Sequence, residues 1–150
     1  MLVNTVNSDD NVKVKRKALA ALGEFMFYAF TQLDDDNHDN GWKISDLSIQ
    51  TLKDNLRFHD DEIIQLYACK AIENISAQAR KAGYNFATIE VAKDLLNFYE
   101  SPDKPNGKVT SIVTISHLCK LNDEIFPFVF QHLTSQKFFQ TMIDGSPRIQ

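Results

Sequence analysis

The sequence predicts an all-α fold in which helices stack as an α-solenoid, and three observations carry that expectation. Apolar residues recur at spacings of three and four along most of the 150 residues, which marks amphipathic helices, and no segment alternates as a strand would. The four prolines and five glycines fall mostly between the periodic segments. One apolar frame also returns along the chain, as a stack of similar units requires.

Residues 1–9 read as a flexible N-terminus, and residues 10–150 as one helical-repeat domain. Its units span about 10–33, 44–83 and 86–122, with a partial one over 123–150. The first helix runs from about Asp10 to Leu33, with Asp9 or Asp10 placed to accept the unpaired amides of its first turn. "DDDNHDNG" at 34–41 cannot continue it and reads as a loop, with Trp42 packing back as its anchor. Ser45 caps a shorter helix to about Phe58 that carries Leu52 and Leu56 on one face. "HDDE" turns the chain, and Asp60 or Asp61 caps a third helix ending near Gly83.

A fourth helix covers about Ala87 to Glu100, and "SPDKPNG" at 101–107 breaks the chain. A fifth spans about Lys108 to Leu121. Asn122 or Asp123 caps a sixth through about Thr134, with Pro127 near its fourth position confining regularity to the residues beyond. Ser135 caps a last helix to Ile143, closed by Gly145 and Pro147.

Laying the first helix on the third at a shift of 50 matches Ala18 with Ala68, Ala21 with Ala71, Leu22 with Ile72 and Phe25 with Ile75. Laying the third on the fifth at a shift of 46 matches Ala68 with Thr114, Ile72 with Leu118 and Ile75 with Leu121, with Ala71 on His117 as the poor match. The helices between also align, Leu52 with Leu95 and Leu56 with Tyr99, at a shift of 43. Small residues let neighbouring helices approach while aliphatics fill the seam, and each unit buries its face only by stacking on the next.

Composition bounds the function. A net charge of −4 and a single short basic run, "KVKRK" at 13–17, give no electrostatic reason to expect nucleic acid. No stretch approaches the roughly 20 apolar residues of a membrane span, and "MLVNTVNSDDN" lacks a secretory pattern, so a cytoplasmic protein is expected. Cys69 and Cys119, isolated within helices, suit a reducing compartment.

Within "DDEIIQLYACKAIENISAQA", the segment "AIENIS" resembles the third helix of armadillo repeats, and "SIQTLKDNLRFHDDE" the second helix and turn before it. The resemblance implies a concave groove for a protein partner, in which an Asn holds an extended peptide backbone beside a Trp side pocket. The Asn position is Asn74. The Trp position holds Lys70, and the Asn positions of the other units hold Glu24 and Lys120, so the aromatic half and the asparagine ladder are missing. "KRKALAALGEFMFYAFTQLDD", the same "DDEIIQLYACKAIENISAQA" and the terminal "SPRIQ" resemble the armadillo/HEAT-type C-terminal region of Fused and Runkel-type Unc-51-like kinases. That implies a helical scaffold attached to a kinase or pseudokinase domain, acting in ciliary or cytoskeletal assembly. The chain itself shows no Gly-rich phosphate loop, no H-R-D and no D-F-G.

Reaction chemistry has little support in the residues. A calcium loop starting at Asp36 places Gly41 correctly, but puts His38 third and Leu47 twelfth, where oxygen ligands belong. His38, His59, His117 and His132 form no ligand-spaced pair with each other or with a cysteine, so no metal or cofactor is expected. Phe126, Phe128 and Phe130 recur every second residue, and one helix cannot bury all three, so at least one is exposed or meets another subunit. "SPRIQ" stands where the next inner helix is due, and the apolar "FVFQHLTSQKFFQTMI" is no polar cap; a domain boundary or self-association through this end follows.

The expectation is therefore a protein-binding scaffold that is not an enzyme, with Lys70, Asn74, Glu24 and Lys120 facing the groove. The rival is a compact helical bundle whose aromatics converge on a small apolar ligand, or an enzyme of that form.

Overall fold

The computed structural model describes residues 1–33, 44–57 and 60–133, and among them every regular element is a helix. In chain order these are α1 (Leu2–Ser8), α2 (Val12–Leu33), α3 (Asp46–Arg57), α4 (Glu62–Gln78), α5 (Arg80–Gly83), α6 (Ile89–Glu100), α7 (Gly107–Cys119) and α8 (Ile125–His132). The acidic loop with Trp42, and everything beyond Leu133, lie outside the described residues.

Local chemistry sets the helix ends. Asp61 Oδ1 accepts from the amides of Ile63 and Ile64 at 3.0 and 3.1 Å and so starts α4. Thr88 does the same for α6 through Val91. α2 begins at Val12, two residues beyond the expected Asp10, because the Asn11 carboxamide, not Asp9 or Asp10, accepts from Lys13. The third helix also ends early: Ala79 leaves helical geometry at φ −105° and ψ 78°, and α5 follows as a separate turn. Pro127 proves to be the third residue of α8, inside the first turn, where a missing amide hydrogen leaves no intrahelical bond unmade.

The helices form two rows. α2, α4 and α7 pack side by side in one; α1, α3, α6 and α8 neighbour one another in the other; α1 lies on α2, α3 on α4 and α6 on α7. Residues 1–9, expected to be flexible, thus supply α1, which buries Val6 and reaches α3 through Asn7 and Thr51.

The core lies between the rows. The aligned positions Ala18, Ala68 and Thr114 are all buried, as are Leu22, Ile72 and Leu118 in one row and Leu52, Leu56, Leu95 and Tyr99 in the other. Each fully buried Leu or Ile contributes about 1.5–3 kcal/mol relative to exposure. The frame fails at Phe25, which is 48% exposed where its counterpart Ile75 is 0%. Among the described residues α4 is flanked in its row by both α2 and α7, whereas α2 is flanked in that row by α4.

Polar clamps fix the stacking. Arg16 of α2 pairs with Asp61 at the start of α4, through Nε at 3.2 Å and a terminal nitrogen at 2.5 Å. Arg57 of α3 bridges to Glu90 and Asp94 of α6. Glu62 accepts from both the backbone and the side chain of Asn106, which ties the α6–α7 connection to α4.

Candidate functional site

α2 and α4 cross closely at Gly23. A Cβ placed on that glycine would stand 2.8 Å from the Cβ of Ala71, nearer than two carbons tolerate. The close approach leaves a shallow groove of about 180 Å³ lined by Ala20, Gly23, Glu24, Tyr67, Lys70, Ala71 and Asn74. Ala20, Gly23 and Ala71 make a small-residue floor. Glu24, Lys70 and Asn74 are exposed along it, and helical spacing puts Tyr67, Lys70 and Asn74 on one face of α4.

Three of the four residues expected to face a groove are therefore brought together. The fourth, Lys120, lies outside this groove at the C-terminal end of α7. There it adjoins half-buried His117, whose pKa is lowered by burial and then by Lys120, with Glu73 opposing. Sequence reasoning missed the floor. Its legible signal was Gly23 within a strong helix-forming run, since glycine there costs about 1 kcal/mol against alanine and marks a packing requirement.

The groove offers a carboxylate, an ammonium and a carboxamide around an apolar pocket. Its volume suits one aliphatic side chain; clefts for drug-sized ligands run to about 300–1,000 Å³. Directly behind it, Cys69 is fully buried and faces Thr114 of α7 at 3.4 Å, and burial pushes its thiol up to about 12. Such a thiol is a packing group and not a nucleophile at neutral pH.

The aromatic series divides. Phe126 and Phe130 are 62% and 67% exposed and stack on each other at 6.1 Å, while Phe128 is half-buried and packs on His132 at 4.3 Å. Tyr28 is also exposed, whereas Phe30 joins the core. None of these aromatics lines the α2–α4 groove. Among the described residues no cluster of three or more His, Cys, Asp or Glu is placed to hold a metal. No described helix is long and apolar enough to cross a membrane.

With this geometry in place, comparison with known proteins adds one relationship. Over 95% of its length the chain is 26% identical to the serine/threonine-protein kinase RUNKEL of Arabidopsis thaliana. The relative is a kinase. The similarity is distant, and it supports the Fused/Runkel relationship read from the sequence without establishing armadillo or HEAT repeats. The 155 aligned positions cover 11% of RUNKEL, so the chain corresponds to a small part of that protein. No protein-family profile matches the chain, and no solved structure does.

One expectation is corrected here. The sequence reading set the chain down as not an enzyme because it shows no kinase motifs. Its similarity is to part of a serine/threonine-protein kinase, so absent motifs in this stretch are no ground for separating it from an enzyme.

Proposed function

We propose that this chain is a helical docking module of a kinase-type polypeptide, which holds a protein partner along the exposed face of α2, α4 and α7. The observation that carries the reading is the groove at the Gly23–Ala71 crossing, with Glu24, Lys70 and Asn74 around it. An extended segment sets one aliphatic side chain on the small-residue floor. Its backbone meets the Asn74 carboxamide, which both donates and accepts, and its polar groups meet Lys70 and Glu24. The two-row stacking and the matched buried positions support a solenoid of armadillo/HEAT type as the frame for this face. Cytoplasmic action in ciliary or cytoskeletal assembly is part of the same proposal and rests on the family resemblance; imaging of the tagged protein tests it.

The direct test changes Lys70→Glu and Asn74→Ala together and measures capture of partners from source lysate by quantitative mass spectrometry. Capture should fall several-fold. Both residues are exposed, so stability should stay within about 0.5 kcal/mol. A large drop in melting temperature would assign both residues to the fold, and unchanged capture would sink the docking reading.

A further inference from the structure

The groove at the Gly23–Ala71 crossing carries one charge of each sign on opposite walls, Glu24 on α2 and Lys70 on α4. Arg16 of α2 faces Asp61 at the start of α4, and Gly23 faces Ala71 further along both helices, so the two helices run in the same direction. Glu24 follows the contact by one residue on its helix, and Lys70 precedes it by one on the other. With a rise of about 1.5 Å per residue, the two stand only about 3 Å apart along the axes. Their separation is mainly the distance across the groove.

Both side chains are exposed, and among the described residues neither has a hydrogen-bond or ion-pair partner. Opposite charges that border one space without meeting are each open to a ligand. The walls that carry them are fixed, because α2 and α4 are joined by the buried Leu19, Leu22, Ala68 and Ile72 and by the Arg16–Asp61 pair. Asn74, one turn beyond Lys70, is exposed in the same groove, and its carboxamide carries no charge. The lining is thus electrically balanced, on a chain whose net charge is −4.

We propose that the occupant of this groove is an extended peptide segment of mixed charge. A small aliphatic residue sits on the floor, flanked by a basic residue paired with Glu24 and an acidic residue paired with Lys70. The assignment rests on the docking role proposed above for the same groove and adds the charge pattern of its partner. In an extended segment the residues two before and two after the anchor project to the same side as the anchor, so those positions carry the charges. A segment with two acidic residues gains at Lys70 and is repelled at Glu24, and one with two basic residues does the reverse. The field of the whole chain selects differently. A net charge of −4 draws a basic segment most strongly, so a preference for mixed charge has to come from the two walls.

The experiment titrates the isotope-labelled full chain with four capped peptides and follows the amide shifts of Gly23 and Ala71 by nuclear magnetic resonance. Between terminal glycines the peptides carry Lys-Ser-Val-Ser-Glu, Glu-Ser-Val-Ser-Lys, Lys-Ser-Val-Ser-Lys or Glu-Ser-Val-Ser-Glu. The better of the two mixed peptides should bind at least about threefold tighter than either single-sign peptide, the scale that exposed ion pairs allow. Glu24→Lys leaves two cationic walls and should make the acidic peptide the tightest. Lys70→Glu leaves two anionic walls and should make the basic peptide the tightest. Lys13→Glu, exposed and outside the groove, should leave the ranking as in wild type. Circular dichroism confirms the fold of each variant, and either wall variant serves should the other not fold. A single-sign peptide that matches or exceeds the better mixed one, or an unchanged ranking in folded Glu24→Lys or Lys70→Glu, overturns the charge assignment and leaves the docking reading standing. An absence of saturable shifts with all four peptides overturns the docking of an extended segment at this groove, and the charge assignment with it.

Discussion

The Gly23–Ala71 crossing makes a sharp prediction, because two opposed effects act on one atom. Gly23→Ala gains about 1 kcal/mol of helix propensity. It also puts a Cβ 2.8 Å from the Ala71 Cβ, about 1 Å inside ordinary carbon–carbon contact. The obstructing atom is the root of a short side chain, so no rotamer change relieves it and α2 must move from α4. A gap of about 0.5–1 Å forfeits a quarter to a half of each dispersion contact along that seam, where Leu19, Leu22, Ala68 and Ile72 are buried. Overpacking of this kind costs about 1–3 kcal/mol, so the single variant is unchanged or destabilised by up to about 2 kcal/mol.

The decisive comparison is with Ala71→Gly and the double variant. Ala71→Gly alone loses about 1 kcal/mol of propensity and about 0.8 kcal/mol for a buried methyl. In the double variant the new Cβ meets only the Ala71 Cα, 3.8 Å away, which is ordinary contact. The double variant should therefore be more stable than the sum of the two single effects, by about 1–3 kcal/mol. Urea unfolding of the four proteins measures this coupling. A coupling within about 0.5 kcal/mol of zero would show that the crossing is not sterically limited and would refute the account of the groove floor.

Other consequences follow from the clamps and the buried thiol. Arg57→Ala should destabilise the protein by about 1–3 kcal/mol at pH 7 by stranding Asp94, whose carboxyl is already pushed up by burial against the opposing pull of Arg57. A raised carboxyl contributes stability below the ordinary carboxylate range and loses it as pH rises, so the deficit should shrink in acid; a pH-independent deficit in urea unfolding would contradict this. Asp61→Ala should cost about 1 kcal/mol by uncapping α4, whereas Asp61→Asn keeps the cap and loses the charge pair with Arg16. That pair, followed by the amides of Ile64 and Ile63, holds the Asp61 carboxyl below its usual value despite burial, so its contribution is present at neutral pH. The deficit of Asp61→Asn should therefore close below about pH 3.9, as thermal melts across pH will report. Cys69 should resist iodoacetamide in the native protein at pH 8 and react once urea exposes it; rapid native labelling would show that α4 and α7 separate readily.

The sequence by itself determined the helical class and most element boundaries. These follow from local rules: a short carboxylate starts a helix at Asp61, two prolines and a glycine break the chain at 101–107, and spacings of three and four select one buried face. Aligning the helices by their apolar positions also grouped Glu24, Lys70 and Asn74, which the structure brings to one groove, while Lys120 lies outside it. Whether a face had a neighbour was not legible. Phe25 and Ile75 align in the sequence, yet one is half-exposed and the other buried, and among the described residues α4 is flanked in its row by both α2 and α7. Residues 2–8 carry too short a pattern to announce a helix; α1 forms where α2 and α3 offer a surface for Val6, since tertiary packing rather than propensity stabilises so short an element. The clamp between α3 and α6 lay equally beyond the sequence. Arg57 comes from α3 and Glu90 and Asp94 from α6, and only the stacking of the two rows brings these charges together.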